Sequence, residues 1–169
     1  TVAVALEVAL APCTDAGRDP RALPSVFAST HGDLGITDYM CATLAADPRS
    51  ISPTRFHNSV HNAAAGYWSI GAGCTQATTA ISARSPPSAD PSRAGMSRAH
   101  AASFAEGQVE ALVQLAAGGE AVLLVGYDGS SAGPLSPMSP SAGLLGGALV
   151  LSRAVKADAP RIEVRLLTG

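Results

Sequence analysis

TTAIS at residues 78–82, SFAEGQVEALVQLAAGG at 103–119 and AVLLVGY at 121–127 decide the fold. The first is a short β-type run. The second has helical spacing, with Ala105, Val109, Leu112, Val113 and Ala116 as the expected buried stripe and Glu106, Glu110 and Gln114 opposite. Gly118 and Gly119 then stop it. The third is continuously apolar, as in a strand covered on both faces. A strand that delivers the chain to the start of a buried helix is a good place for a nucleophile, because free backbone N–H groups and the helix dipole stabilise an anion there. The expected turn holds Ala101, Ala102, Ser103 and Phe104, whereas the nearest cysteine, Cys74, lies before the incoming strand.

Outward from this unit, residues 1–11 are apolar except for Thr1 and Glu7, which predicts a helix buried on most of its surface and ended by Pro12 and the turn Asp15, Ala16, Gly17. SVFAST at 25–30 predicts an interior strand, and His31, Gly32 and Asp33 a turn after it. Thr37 is placed to cap a helix over 38–46 that Asp47 and Pro48 end. In ISPTRFHNSVHNAAAGYWSIGAG, 51–73, small residues at 63–66 permit a helix to approach a neighbour closely. If that helix starts early, His57 with His61 and Asn58 with Asn62 share one side. Residues 74–82 return as a strand. The stretches 84–100 and 128–143, rich in Pro, Ser and Gly, read as mobile loops. GALVLS at 147–152 and the alternating RIEVRLL at 161–167 complete an α/β domain, a mixed sheet with helices on both faces.

The 169 residues suit one domain, 1–169, with its own core. A net charge of −2, with scattered Arg, gives no basic patch for nucleic acid or an anionic membrane. Three cysteines without CxxC or Cys/His spacing argue against a disulfide framework or structural zinc and for a reducing cytoplasm. The first residues resemble a signal-peptide core, yet lack a basic leader and carry Glu7, so they read as a helix. No run approaches the roughly 20 apolar residues needed to span a bilayer.

The succession of an apolar helix ending in DAG, SVFAST, SPTRFHNSVHNAAAGYWSI, TTAIS, SFAEGQVEALVQLAAGGEA, VLLVGYD and GALVLSRA with RIEVRLL resembles the N-terminal half of the β-ketoacyl synthases over nearly the whole chain. In particular it is similar to the stand-alone β-ketoacyl synthase-like chains of aryl polyene and related polyketide clusters, chain-length-factor-like partners of a true ketosynthase. The resemblance implies a thiolase-like half fold, no cofactor, and a heterodimer with an active ketosynthase or a homodimer, with acyl carrier protein as a further partner. In active relatives a cysteine at the start of the helix after the third strand is acylated. The resemblance puts Ala102 at that position, or Ala83 under another alignment of the loop, and neither can attack a thioester. The two histidines and the lysine of those enzymes belong to a C-terminal half that would begin where residue 169 ends.

Other residues have a plainer role beside each chemical one. Ser103 could replace the nucleophile but suits a helix cap, and an active serine needs a base within reach. Cys74 suits a buried thiol, and Tyr67 and Trp68 suit core or interface packing. His57 and His61 lack a third metal ligand of obvious spacing, so backbone contacts for them and for Asn58 and Asn62 are expected, with no metal. The expected function is therefore a non-catalytic subunit. The alternatives are a ketosynthase-type acyltransferase or thioester hydrolase using Ser103 or Cys74, or a module that binds an acyl chain or carrier protein.

Overall fold

The computed structural model describes residues 1–83, 97–137 and 140–164. In chain order these form α1 (Val2–Ala16), β1 (Ser25–Ala28), α2 (Leu34–Ala46), α3 (Pro53–Asn58), α4 (Ala63–Ala72), β2 (Thr78–Ile81), α5 (Ser97–Ala116), β3 (Ala121–Asp128) and β4 (Leu145–Ser152). One sheet runs β2-β1-β3-β4. β1 is parallel to both β2 and β3, and β4 closes the far edge antiparallel to β3. Parallel neighbours need long crossovers, and helices make them here, α2 to α4 from β1 to β2 and α5 from β2 to β3.

The apolar run of β3 is buried on both faces, as its sequence predicts. Val122, Leu123, Leu124 and Val125 are wholly inaccessible. Each contributes on the order of 1.5–3 kcal/mol by burial. Leu123, Val125 and Tyr127 join Phe27, Trp68 and the α1 residues Ala5, Ala9 and Cys13 in one core, whereas Val122 and Leu124 join Val26, Ala111 and Leu115 in the other. Helices α1 and α4 thus cover one face, and α5 covers the other.

Several local expectations are corrected. Helix α1 passes through Pro12 and ends only at Gly17, whose left-handed φ of 64° lets its own N–H and that of Arg18 close on the Thr14 and Cys13 carbonyls. Packing of Ala5, Ala9 and Cys13 outweighs the bond that Pro12 cannot make, and only this stripe is fully buried. Helix α2 starts earlier than expected. Asp33, not Thr37, caps it by accepting the Ile36 N–H at 3.0 Å, and the Thr37 hydroxyl instead donates to the Asp33 carbonyl. The segment 53–72 is two helices with a turn between, so the His57/His61 and Asn58/Asn62 pairs do not share a helical side. Strand β2 takes up only 78–81 of the expected 74–82, and β4 begins two residues before the expected strand. Residues 161–164 form no strand, and 165–167 lie outside the described residues.

Helix α5 departs most from the sequence pattern. It opens at Ser97, so the expected loop 84–100 is helical from 97, while 84–96 lie outside the described residues. Its buried stripe is Ser103, Gly107, Ala111 and Leu115, whereas Val109 and Val113 are more than half exposed. The reason is proximity. A Cβ on Gly107 would stand 2.9 Å from the Ala28 Cβ and 3.2 Å from Leu124 Cδ1, so only small side chains fit between helix and sheet. The second expected loop is tied at its base, where Ser130 exchanges two hydrogen bonds with Gly143, and Ser131 bonds Ser141; residues 138 and 139 lie outside the described residues.

Gly107→Val is expected to lower stability by about 1–3 kcal/mol through overpacking, whereas Val109→Ala changes it by less than about 0.5 kcal/mol. Urea unfolding of both variants checks the order, which the helical pattern in the sequence would reverse.

Candidate functional site

Each parallel strand ends on a polar residue just past its last apolar one: Ser29 and Thr30 after β1, Ser82 after β2, and Asp128 closing β3. Carboxyl ends of parallel strands are where open α/β sheets hold their ligands, and here these residues meet. The Asp128 carboxylate accepts from the Ser29 hydroxyl at 3.1 Å, the Thr30 N–H at 2.9 Å and the Thr30 hydroxyl at 3.2 Å. Ser29 Oγ in turn accepts the Gly32 N–H at 2.9 Å, holding the turn that leads to Asp33 and α2. The Ser82 hydroxyl donates to the Thr30 carbonyl at 2.8 Å, linking β2 to the same cluster.

His61 reaches this cluster from the turn between α3 and α4. Its Nε2 lies 2.9 Å from the Ser29 carbonyl. A carbonyl only accepts, so Nε2 carries the proton. The Tyr127 hydroxyl donates to the backbone carbonyl of His61 at 3.3 Å. Burial and the neighbouring Asp128 push the Tyr127 phenol up to about 12, so it remains a donor.

Helix α5 arrives beside these ends. Ser103 is buried, and its Oγ accepts the Ala83 N–H at 3.1 Å and donates to the Ala83 carbonyl at 3.3 Å, as a strand neighbour would. This replaces the expected helix cap, because Ser103 lies in the second turn of a helix that opens at Ser97. Ala102 lies in the same turn, where its N–H belongs to the helix ladder, so the free N–H groups expected beside it are not there. Phe104 covers Gly126, where a Cβ would meet its ring at 2.6 Å. Beside that contact an apolar groove of about 530 Å³ runs between Phe104 and the β4 residues Leu145 to Leu149, with Asp128 at its rim.

Of the four motif residues, only His61 reaches the strand ends. His57 is exposed and sets its ring edge-on to Tyr67, 5.5 Å away. Asn58 has a buried Oδ1 with no hydrogen-bond partner among the described residues. Asn62 precedes α4 without a side-chain cap and lines a smaller groove, about 380 Å³, with Gly66, Ser69 and the β2 residues Thr78 and Ala80. The cysteines lie elsewhere. Cys74 is buried and aims at the Leu23 carbonyl, at the end where the parallel strands begin; burial raises the Cys13 thiol in the core; and Cys41 is exposed on α2. Among the described residues no group of three could hold a metal, and no helix is long and apolar enough to cross a membrane. The sequence reading missed Ser29, Thr30, Ser82, Tyr127 and Asp128, although the polar residue closing each strand was a visible signal.

Loss of both bonds to residue 83 in Ser103→Ala should cost about 1–2 kcal/mol in urea unfolding. The Tyr127 phenol is raised from its ordinary value near 10 to about 12. Its contribution is therefore complete below pH 10 and falls away as pH rises through 12, by roughly 3 kcal/mol at most. Chemical unfolding from neutral to alkaline pH should show this slope, and Tyr127→Phe should flatten it.

Residues 3–88 match the family model described as beta-ketoacyl synthase, N-terminal domain. No curated protein matches the chain. Among solved structures, one chain of the complex between the ketosynthase ApeO and its chain length factor ApeC, from Xenorhabdus doucetiae, superposes with a TM-score of 0.66 at 27% identity. The match covers 89% of this chain and 58% of that one, so the present chain spans less than two thirds of the length of its structural relative. The mixed sheet between helices is accordingly thiolase-like, and the chain belongs to the beta-ketoacyl synthase N-terminal domain family.

Proposed function

We propose that this chain is a non-catalytic, chain-length-factor-like subunit that pairs with an active β-ketoacyl synthase and helps to shape the space for a growing acyl chain. The observation that carries this reading is the second turn of α5, at Ala102 and Ser103. The position that the ketosynthase resemblance assigns to the acylated cysteine is the methyl of Ala102, and the adjacent Ser103 hydroxyl gives its hydrogen to the Ala83 carbonyl. His61, the imidazole at the strand ends, donates to the Ser29 carbonyl and is not bonded to Ser103. A serine becomes a nucleophile when a base takes its proton, and among the described residues no base is bonded to this hydroxyl.

The proposed contact with the partner is the free edge of β2. Ala77 and Ile81 turn their carbonyls to β1, so strand alternation leaves the Ala80 N–H facing outward. Beside this edge, Ala65, Gly66 and Ser69 of α4 keep the surface low enough for a second chain to approach. The structural relative is one chain of a complex between a ketosynthase and its chain length factor, which fits a paired role. In this reading acyl carrier protein brings the chain to the active partner, in an aryl polyene or related polyketide pathway in the cytoplasm.

Purified chain mixed with a ketosynthase encoded beside it should elute as a one-to-one complex by light scattering. Ala80→Pro, which spares the bonds to β1, should weaken the complex at least tenfold while leaving the circular dichroism unchanged. Independent monomers in the mixture would overturn the pairing. Incubation with an acyl-carrier thioester followed by intact-protein mass spectrometry should leave this chain unmodified. An acyl adduct on Ser103 or Cys74 would instead establish the acyltransferase or hydrolase reading.

A further inference from the structure

We draw no further inference here: the strongest candidate, the open apolar groove between Phe104 of α5 and Leu145 to Leu149 of β4, carries nothing because nothing in the structure shows what covers it.

Discussion

The close approach of α5 to the sheet is the constraint on which the remaining geometry depends. Gly107 lies where a methyl would touch Ala28 and crowd Leu124, and Ser103 and Ala111 continue the same small-residue line along the helix. Such a helix gains its stability from contact of backbone with sheet rather than from interdigitated large side chains. It also fixes where its early turns stand. With Gly107 pressed on β1 and β3, Ser103 falls beside the exit of β2 and Phe104 over Gly126.

The two faces of the sheet solve the covering problem differently. On the face of α1 and α4, bulk dominates: Phe27 packs against Trp68 and Tyr127 with ring centroids 6.4 Å apart in both pairs. On the α5 face the fit relies on the absence of bulk. Polar groups at the carboxyl ends of the strands are then held by one another. Asp128 gathers β1 to β3, Ser82 gathers β2 to β1, and Ser103 gathers α5 to residue 83. Every one of these bonds has a backbone group or a short side chain as its partner, which favours a rigid rim over a reactive one.

This division explains what could be read from the sequence. Strands declare themselves by runs of buried apolar residues, and 25–28 and 121–128 were legible for that reason, as was the layering of helices around them. The stripe of α5 was not legible because hydrophobic periodicity counts large apolar residues as buried. Val109 and Val113 follow that pattern, yet the helix turns its smallest residues to the sheet. The early start of α5 was hidden by the weakly apolar residues before Ala102. Pro12 misled in a similar way, since a proline penalty is local whereas the packing of Ala9 and Cys13 is tertiary. The cluster at the strand ends was half legible: its polar residues could be seen one strand at a time, but their meeting depends on strand order, which spacing alone does not supply.

The same geometry bears on the chemistry. A helix that begins at Ser97 has used its free N–H groups before Ala102, so that position lacks both a sulfur and the unpaired donors that would hold a thiolate or an oxyanion. The bonds between Ser103 and Ala83 are nonetheless the kind that keep helix and strand in fixed relation whether or not a nucleophile stands next to them. In a ketosynthase that relation would serve reaction geometry. In a subunit that only pairs and shapes, it would serve the interface, because Ser103 holds the exit of β2, whose outer edge has no strand neighbour among the described residues. For the proposed subunit, a methyl at Ala102 beside the Ser103 bonds is physically coherent: those bonds steady the segment leaving β2, and the edge of β2 is what the proposed partner meets.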